Sequence, residues 1–443
     1  MNRPYRFFAK EEPRPSMSDP VEIRPLSRLD AAVRVPGSKS YTQRALVIAS
    51  LAEGRSRLGN ALISEDTQLL MQALGILGAK ILHAGDDLLV TGTGGKIAPA
   101  REPIFLGNNG TAMRFLLSVL CLGSGDYRIT GTPRLCERPV KPLLNALRSL
   151  GGTWTCGEKE GYLPLTVHGR GIHGGRVTFD DLESSQYLSS ILISAPYAAE
   201  DVEITVLGSM ASRPYVTLTL EAMKDFGVRV ETKGENHFLV GSGQRYRGTD
   251  YSVEGDASSA SYFFLAAALS RGTVRVSPLT RESLQGDGRF LHLLEKLGST
   301  VSSKESWVEV KGNPLPAGEF VFDMGDMPDM VPTLAVLSAL RPGRTVIRNA
   351  AHLRIKESNR LEAMAKELAK TGIHAEERED GLVIDGGTPR GAEIETYGDH
   401  RIAMSFAMLG LVVPGIQIGG GSCVRKSFPG FWEEMGKLYG GRP

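Results

Sequence analysis

The chain has 443 residues, about twice the usual size of one domain, so two domains are expected. Its 41% hydrophobic and 23% charged residues and its net charge of +1 suit a globular protein, without the basic excess of a nucleic-acid-binding module. The sequence shows no apolar run near the ~18 residues that a membrane span needs. Four scattered cysteines without zinc-site spacing predict a reducing, cytoplasmic environment and no structural metal.

The first sixteen residues, MNRPYRFFAKEEPRPS, mix proline with both signs of charge and lack the apolar core of a signal peptide. We predict a flexible N-terminal extension over residues 1–16, upstream of an alternative start at Met17.

One motif recurs through the rest of the chain: an amphipathic helix ending in glycine, followed by a β-prone stretch. Glycine just past the last helical turn suits a left-handed C-cap. A spacing of about 70 residues predicts six related units, three in each half. The alternative is that helix-ending glycines are common and align by chance. The six glycines are Gly78, Gly151, Gly227, Gly298, Gly372 and Gly440.

Strand-like runs such as DVEITVLG and RTVIRNA separate the helices, so the fold class is predicted as mixed α/β or α+β. A polar, glycine-rich stretch near residues 245–256 predicts the boundary between the halves, and a second crossing is expected near Ala32–Pro36. The prediction is therefore one domain of residues 36–253 and a second of residues 18–35 and 254–443.

Several turns in the first half place basic, amide or hydroxyl side chains at the start of a predicted helix. The first of them, VPGSKSYTQRA, holds Lys39 and Arg44. Glycine in such turns lets the backbone approach a ligand closely, and free N–H groups at a helix start favour an anion. The other turns supply Asn108, Gly110, Thr111, Arg114, Arg138, Ser184, Ser185 and Gln186.

The second half repeats this pattern and adds acids. Asp329 stands between a proline and an apolar helix, and Glu357 stands among cations before another helix. Positive neighbours keep a carboxylate ionised, while burial opposes ionisation. One acid could serve as a base while the other, or Lys39, donates a proton. The remaining residues of these turns are Arg354, Lys356, Arg360, Asp399, His400, Arg401, Arg425 and Lys426.

Taken singly, each turn could be a solvated loop, a helix cap or a surface ion pair. Taken together, the cations of both halves stand at turn–helix junctions, so facing halves would line one cleft. That cleft would bind one multiply anionic ligand or two anionic ligands, because charge-assisted contacts to phosphate and carboxylate are strong. Repulsion between the cations predicts that the halves close after anions bind.

These motifs, in this order, resemble the family of EPSP synthases, the 3-phosphoshikimate 1-carboxyvinyltransferases, from about Glu22 to the C-terminus. The strings that carry the resemblance are PGSKSYTQRA, LGNNGTAMR, ERPVKPLLNALRSLG, SSQYLSS, VEGDASSASYF, RIKESNRLEAMAKEL, GDHRIAMSF and RKSFPGF. The resemblance implies an α+β fold of two similar domains, each of three βαβαββ repeats in an inside-out α/β barrel, hinged around a central cleft. It also implies transfer of the enolpyruvyl group of phosphoenolpyruvate to the 5-hydroxyl of shikimate 3-phosphate, with release of phosphate and with no cofactor or metal.

The resemblance also implies roles for individual residues. Asp329 would deprotonate the 5-hydroxyl, and Glu357 with Lys39 would move protons at the methylene carbon. Shikimate 3-phosphate would meet Lys39, Ser40, Arg44, Ser184, Ser185, Gln186, Ser212, Tyr215, Asp329, His352 and Lys356. Phosphoenolpyruvate would meet Lys39, Asn108, Gly110, Arg138, Gln186, Arg360, Arg401 and Lys426.

Three positions depart from the family pattern. His352 replaces a common asparagine, which leaves the charge at that position open. Asn359 replaces a common aspartate, so a charge that could brace Arg360 is expected to be missing. Phe115 replaces a common proline, and we expect it to change the helix start beside Gly110 and to weaken inhibition by glyphosate, which resembles phosphoenolpyruvate.

Three alternatives remain at this point. A UDP-N-acetylglucosamine enolpyruvyl transferase would share the fold, and Cys136 in PRLCERP raises that question, although the flanking pattern differs. A non-catalytic phosphate-ligand sensor would not need the acids Asp329 and Glu357. A nucleic-acid module conflicts with the near-neutral charge. The partners expected are the two small-molecule substrates, with no nucleic acid, no membrane and a monomeric chain.

Overall fold

A computed structural model of the chain describes residues 20–85 and 87–440. The extension predicted at residues 1–16 and the alternative start at Met17 lie outside the described residues. Among the described helices, none combines the length and the apolar character needed to cross a bilayer. The helices are α1 (Lys39–Leu51), α2 (Glu65–Ile76), α3 (Gly110–Cys121), α4 (Pro133–Cys136), α5 (Lys141–Ser149), α6 (Ser185–Ser194), α7 (Pro214–Asp225), α8 (Ala257–Ser270), α9 (Phe290–Lys296), α10 (Val331–Leu340), α11 (Arg360–Lys370), α12 (His400–Gly410) and α13 (Phe431–Gly436).

The strands form six small sheets, and each sheet belongs to one of the repeated units. The strands are β1 (Val21–Glu22), β2 (Asp30–Arg34), β3 (Arg55–Gly59), β4 (Lys80–Ala84), β5 (Asp87–Thr91), β6 (Ile104–Phe105), β7 (Asp126–Thr130), β8 (Thr153–Cys156), β9 (Leu165–His168), β10 (Gly175–Phe179), β11 (Val202–Val206), β12 (Glu231–Lys233), β13 (His237–Val240), β14 (Asp250–Ser252), β15 (Thr273–Ser277), β16 (Thr300–Lys304), β17 (Trp307–Lys311), β18 (Phe320–Asp323), β19 (Gly343–Arg348), β20 (His374–Arg378), β21 (Gly381–Gly386), β22 (Glu393–Glu395) and β23 (Gln417–Gly419).

Five sheets share one βαβαββ arrangement. In the unit built on β10, β11, β12 and β13, the first two strands are parallel, with Val177 opposite Ile204. The last two strands form a hairpin whose second strand pairs antiparallel with β11, giving the order β10-β11-β13-β12. The sheets β6-β7-β9-β8 and β18-β19-β21-β20 repeat this order. The predicted α+β class is therefore confirmed, and none of the described sheets closes on itself.

Two units receive their first strand from a distant part of the chain. Strand β14 pairs with β3 in the first half, and β2 pairs with β15 in the second half. The chain therefore crosses between the halves twice. The two crossings touch each other: Gly37 pairs with Gly255, and a Cβ added to Gly37 would lie 1.8 Å from the carbonyl oxygen of Asn60. Only glycine permits that approach.

The sixth unit is shorter than the others. Its sheet has three described strands, in the order β1-β23-β22, and β1 comes from the beginning of the described chain. The helix-ending glycines show the same difference. Gly78, Gly151, Gly227, Gly298 and Gly372 adopt the predicted left-handed conformation. Gly440 has φ −87°, so the left-handed cap predicted there is wrong, because a short 3-10 turn over Lys437–Tyr439 precedes it instead.

Three helices in each half are buried on nearly every side. They are α1, α3 and α6 in the first half and α8, α10 and α12 in the second. Helices apolar all round pack at the centre of a domain, whereas amphipathic helices such as α5 and α11 cover its outside.

The apolar residues form two separate cores. One core draws on residues between Tyr41 and Val253. The other draws on residues between Ile23 and Val35 and between Ala257 and Leu438. Whether residues 36–253 and residues 18–35 with 254–443 behave as independent domains stays a prediction.

Candidate active site

The six central helices begin at the contact between the halves, and residues at their starts line one cavity. Lys39 and Ser185 belong to starts in the first half, and Ser258 and Arg401 to starts in the second. The N-terminal end of a helix carries partial positive charge and unpaired N–H groups. The convergence therefore makes the cavity favourable for anions.

Most of the residues predicted for the site line this cavity, including cations from both halves. Five of the predicted residues do not line it: Arg44, Asn108, His352, Arg360 and Lys426. The predicted residues that line it are Lys39, Ser40, Gly110, Arg138, Ser184, Ser185, Gln186, Ser212, Tyr215, Asp329, Lys356, Glu357 and Arg401.

Arg138 carries a buried positive charge with free hydrogen-bonding capacity. Its side chain is 3% exposed, and its Nε and Nη1 have no hydrogen-bond partner. Burial lowers the pKa of Arg138 to about 10, so the guanidinium stays charged at neutral pH. A Cβ added to Gly110 would lie 2.5 Å from the Cζ atom of Arg138. Glycine at position 110 therefore leaves room for a guanidinium that still needs an acceptor.

Asp66 joins two predicted lysines across the cleft. Its Oδ1 accepts a hydrogen bond from Lys426 Nζ at 2.6 Å, and its Oδ2 accepts one from Lys39 Nζ at 3.3 Å. Lys426 also donates to the backbone oxygen of Asn108 at 2.9 Å. This carboxylate offsets repulsion between cations of the two halves. Sequence reasoning missed it, because an acid in the first turn after a Ser64 N-cap is an ordinary helix start.

Arg360 lies beneath the cavity and holds three carboxylates. Its side chain is 1% exposed, and its Nη1, Nη2 and Nε donate to Asp329, Glu357 and Asp399, each at 2.7 Å. Asp399 also caps α12 by accepting the N–H of Arg401 at 3.0 Å. The network fixes both acids that the sequence singled out.

Position 359 supplies no charge to Arg360, as expected, but other carboxylates brace this arginine. Asp329, Glu357 and Asp399 surround its guanidinium. Asn359 instead caps α11, where its side chain accepts the N–H of Glu362 at 3.5 Å. Glu357 is three residues before Arg360, whereas Asp329 and Asp399 are far away in the sequence, so the substitution at position 359 gave no sign of these two charges.

Asp329 is held at both carboxylate oxygens. Arg360 donates to Oδ1 and Arg401 donates to Oδ2, each at 2.7 Å. Burial alone would raise the pKa of Asp329, but Arg401, Arg360 and Lys356 outweigh burial and hold it below its usual range. Glu357 is likewise buried, and its neighbouring cations hold its pKa well below the usual value. Both acids are therefore ionised at neutral pH.

Lys356 and His352 have lowered pKa values. Burial, with help from Arg360, lowers the pKa of Lys356 to about 8, although Asp329 opposes the shift. Burial and the charge of Lys356 lower the pKa of His352 to about 4, so this histidine is neutral at physiological pH. His352 lines a second opening between the halves, together with Asn349, and its Nε2 is buried without a partner.

Gln186 has a fixed amide orientation at the start of α6. Its Oε1 accepts from Arg114 Nη1 at 2.8 Å, and its Nε2 donates to Thr111 Oγ1 at 2.9 Å. Ser184 is the N-cap of the same helix and accepts the N–H of Gln186. The turns that carry Thr111 and Ser184 are thereby joined at one wall of the cavity.

Two further contacts hold the halves together beside the cavity. The N–H of Ser212, a residue with φ +59°, donates to the backbone oxygen of Gly325 at 2.9 Å. Arg134, which sequence reasoning missed, donates to the backbone oxygens of Arg354 and Lys356 at 3.0 and 3.1 Å. Its place in PRLCERP, four residues before Arg138, is the signal that could have identified it.

Arg44 lies inside the first half. It donates to Thr219 Oγ1 at 2.8 Å and to the backbone oxygens of Ser40 and Tyr215 at 3.1 and 3.0 Å. Its Cζ atom lies 5.3 Å from the centre of the Phe115 ring. Arg44 therefore supports two cavity-lining turns.

The helix α3 begins at Gly110, so Phe115 lies in its second turn rather than at its start. An influence of Phe115 on the site would pass through Arg44. Its effect on inhibition by glyphosate stays a prediction.

The cavity thus brings cations of both halves together with two ionised acids, an arrangement that favours anionic ligands. The EPSP synthase family model, described as 3-phosphoshikimate 1-carboxyvinyltransferase, matches residues 23–435. The chain belongs to this family. A 3-phosphoshikimate 1-carboxyvinyltransferase of Syntrophobacter fumaroxidans is 44% identical over 420 residues, covering 94% of this chain and 99% of the relative. One of Methanoculleus marisnigri is 44% identical over 416 residues, covering 94% and 98%.

Solved structures agree with these relatives. The EPSP synthase of Acinetobacter baumannii superposes with a TM-score of 0.79 at 28% identity, covering 95% of this chain and 98% of that chain. As a family member, the chain is a transferase of aromatic biosynthesis that moves the enolpyruvyl group of phosphoenolpyruvate to shikimate 3-phosphate. The family match decides against the UDP-N-acetylglucosamine enolpyruvyl transferase and the non-catalytic sensor.

Proposed function

We propose that the cavity binds both substrates side by side and that its two central carboxylates move the protons of the reaction. The observation that carries this proposal is the single cavity in which Lys39 and Arg138 of the first half meet Lys356 and Arg401 of the second. Two anionic substrates need such a density of buried positive charge, and the transfer needs ionised acids beside it.

The carboxylate and phosphate of phosphoenolpyruvate bind near Arg138, whose Nε and Nη1 have no protein acceptor. Lys39, Gly110 and Arg401 complete its surroundings in the cavity, with Gln186 between the substrates. Asn108, Lys426 and Arg360 support this end from behind the lining residues. We place phosphoenolpyruvate at the end of the cavity near Arg138 because this arginine is buried and still has free hydrogen-bond donors.

Shikimate 3-phosphate binds toward the serine-rich wall. Ser184, Ser185 and Ser212 supply hydroxyls, and Lys356 supplies charge. This proposal is supported by the position of these serines and of Tyr215, which line the same cavity as Asp329. Lys39 and Ser40 reach the substrates from the first turn of α1, while Arg44 acts from within the first half and His352 acts as a neutral donor from the adjoining opening.

The chemistry forms one bond and transfers two protons in its first step. The 5-hydroxyl oxygen bonds to C2 of phosphoenolpyruvate, and its proton goes to Asp329. C3 gains a proton from Glu357, which takes up that proton when the bound substrate anions raise its pKa, with Lys39 assisting. The product is a tetrahedral ketal phosphate. Removal of a C3 proton and departure of phosphate then restore the double bond.

The low pKa of each acid is compatible with these proton transfers once the charges of the bound substrates are included. Phosphate and carboxylate groups that pair with Arg401, Arg360 and Lys356 weaken the positive field that holds the pKa of Asp329 down. The carboxylates therefore become better proton acceptors when the substrates are bound.

A test of these roles uses phosphate release together with deuterium incorporation. Mixing shikimate 3-phosphate and phosphoenolpyruvate in heavy water should release phosphate and place deuterium on the methylene carbon. Glu357→Gln should abolish both signals while calorimetry still detects binding of shikimate 3-phosphate. Deuterium incorporation at the wild-type rate in Glu357→Gln would contradict the proton role of Glu357.

We also propose that the chain works as a cytoplasmic monomer. One chain supplies every residue of the proposed site, so a second copy is not needed to complete it. Light scattering during size-exclusion chromatography should give a mass near 47.8 kDa across a range of concentrations. A stable dimer mass at micromolar protein would contradict the monomer.

A further inference from the structure

Asp287 is a buried acid that the proposed mechanism does not use. It lies in the 3-10 turn Gly286–Arg289 and is 2% exposed. Its Oδ2 accepts hydrogen bonds from the phenol of Tyr215, at 3.2 Å, and from the hydroxyl of Ser258. Its Oδ1 is buried without a partner. A buried carboxylate with one free oxygen is costly, so packing alone does not account for it.

The two donors line the cavity, but Asp287 does not. Tyr215 lies in the first turn of α7 in the first half, and Ser258 lies in the first turn of α8 in the second half. Asp287 therefore ties one hydroxyl of each half to a single carboxylate. The turn is also closely packed, because a Cβ on Gly286 would lie 2.7 Å from the backbone oxygen of Asp326 and 3.0 Å from Cβ of Pro214.

This arrangement fixes the direction of the two hydroxyl protons. Each hydroxyl has one proton to donate. When Asp287 is ionised, Tyr215 and Ser258 donate their protons to it, so their oxygens offer only lone pairs to the cavity. Burial, Asp287 and Asp329 raise the pKa of Tyr215 well above its usual value, so the phenol keeps its proton.

We propose that Asp287 is a positioning residue that turns Tyr215 and Ser258 into hydrogen-bond acceptors toward the cavity, so that this wall recognises the hydroxyl groups of the acceptor ring rather than its phosphate. A phosphate oxygen accepts hydrogen bonds and gains nothing from a wall of acceptors. A ring hydroxyl donates to it. The inference rests on the proposed binding of shikimate 3-phosphate beside Tyr215.

The recognition depends on the charge of Asp287. Burial raises the pKa of Asp287 to about 6, and Asp329 and Asp256 add to the rise, while Arg401 and the hydrogen bond from Ser258 oppose it. Protonated Asp287 can donate its own proton, which frees the proton of Tyr215 to turn into the cavity. The KM for shikimate 3-phosphate should therefore rise as pH falls through about 6.

The experiment compares Asp287→Asn, Tyr215→Phe and the double variant. The kcat, the KM for each substrate and the melting temperature are measured from pH 5 to pH 8. Asp287→Asn should raise the KM for shikimate 3-phosphate about fivefold, with kcat and the KM for phosphoenolpyruvate little changed. The KM for shikimate 3-phosphate of the double variant should not exceed the larger KM of the two single variants, because both substitutions remove the same interaction. Ionisation of the substrates changes the KM values of all variants alike. In Asp287→Asn, only the part of the low-pH rise in KM that comes from Asp287 should therefore disappear.

Glu367→Gln is a matched control. Glu367 is a fully buried acid of α11 that accepts from the phenol of Tyr397 at 2.8 Å and does not line the cavity. Its variant should lower the melting temperature and leave both KM values at the wild-type level. The same result for Asp287→Asn would overturn the proposal.

The other outcomes separate the inference from the proposed function. Wild-type KM values in Tyr215→Phe would contradict the binding of shikimate 3-phosphate beside Tyr215. A raised KM in Tyr215→Phe with wild-type behaviour in Asp287→Asn would contradict the inference alone. If Asp287→Asn fails to fold, Ser258→Ala replaces it. An unchanged pH profile in both Ser258→Ala and Tyr215→Phe would then overturn the inference.

Discussion

The two halves present their arginines to the cavity in different ways. In the second half, Arg360 and Arg401 donate to carboxylates at 2.7 Å. In the first half, Arg138 keeps Nε and Nη1 without a partner, and Arg114 keeps its Nε without one. An arginine paired inside the protein positions an acid, whereas a buried arginine with free donors binds an incoming anion without first breaking an ion pair.

This contrast suggests different roles for the two halves in the proposed reaction. Under the proposed function, the free donors that capture phosphoenolpyruvate come mainly from Arg138 of the first half, and the oriented acids come from the second half. Substitutions of the two acids of the second half should therefore act mainly on kcat, and substitutions around Arg138 should act mainly on the KM for phosphoenolpyruvate.

The largest effect is expected for Asp329→Asn. This substitution keeps the shape of the side chain but removes the base, so kcat should fall by about 10³-fold, as measured by phosphate release. Binding of shikimate 3-phosphate, measured by calorimetry, should change little. Asp385→Asn is the control, because Asp385 also pairs with an arginine, Arg344, but lies outside the cavity. A fall in kcat of less than tenfold for Asp329→Asn would contradict its role.

The next effect is expected for Arg138→Lys. Lysine keeps the charge but loses the planar pair of donors, so the KM for phosphoenolpyruvate should rise about 100-fold. The KM for shikimate 3-phosphate should stay within about threefold of the wild-type value. The exposed Arg148→Lys serves as the control. Equal increases in both KM values would remove the distinction between the halves.

Lys356 gives a pH-dependent test of the second half. Its pKa of about 8 means that its positive charge is present below that pH and is lost above it. Affinity for shikimate 3-phosphate, measured by calorimetry, should therefore fall about tenfold between pH 7 and pH 9. Lys356→Arg should remove this dependence, because arginine stays charged. Persistence of the fall in Lys356→Arg would assign it to another group.

Local signals explain which parts could be predicted from sequence. The serines of ESSQYLSS predicted a helix start, which the structure has at Ser185, and glycine after a helix predicted six left-handed caps, of which five are confirmed. These signals work because capping depends on neighbours in the chain. The resemblance supplied the roles of the acids, while the repeat supplied the six units.

Pairing over long distances could not be predicted in the same way. Asp66 contacts Lys426, and Asp399 contacts Arg360, although nothing in the sequence between them specifies the partner. Arg44 belongs to a motif of the family, yet its guanidinium donates its hydrogen bonds to residues inside the first half. Such contacts are set by the crossing of the chain and by the packing of the central helices, which bring together helix starts that are distant in sequence.

The smallest effect is expected for Gly110→Ala, which tests the first half without removing a charge. The added Cβ would lie 2.5 Å from Cζ of Arg138, so the guanidinium must shift. The KM for phosphoenolpyruvate should rise several-fold, less than in Arg138→Lys, because the shifted guanidinium keeps all its donors. Gly75→Ala in α2 is a matched control, since a Cβ there meets no atom within 4 Å. The double variant Gly110→Ala with Arg138→Lys should show less than the product of the single effects, because the added methyl group acts through the residue that is replaced. A full product of the two effects would mean that Gly110 contacts the substrate directly, and the first half would then bind phosphoenolpyruvate through its backbone as well as through Arg138.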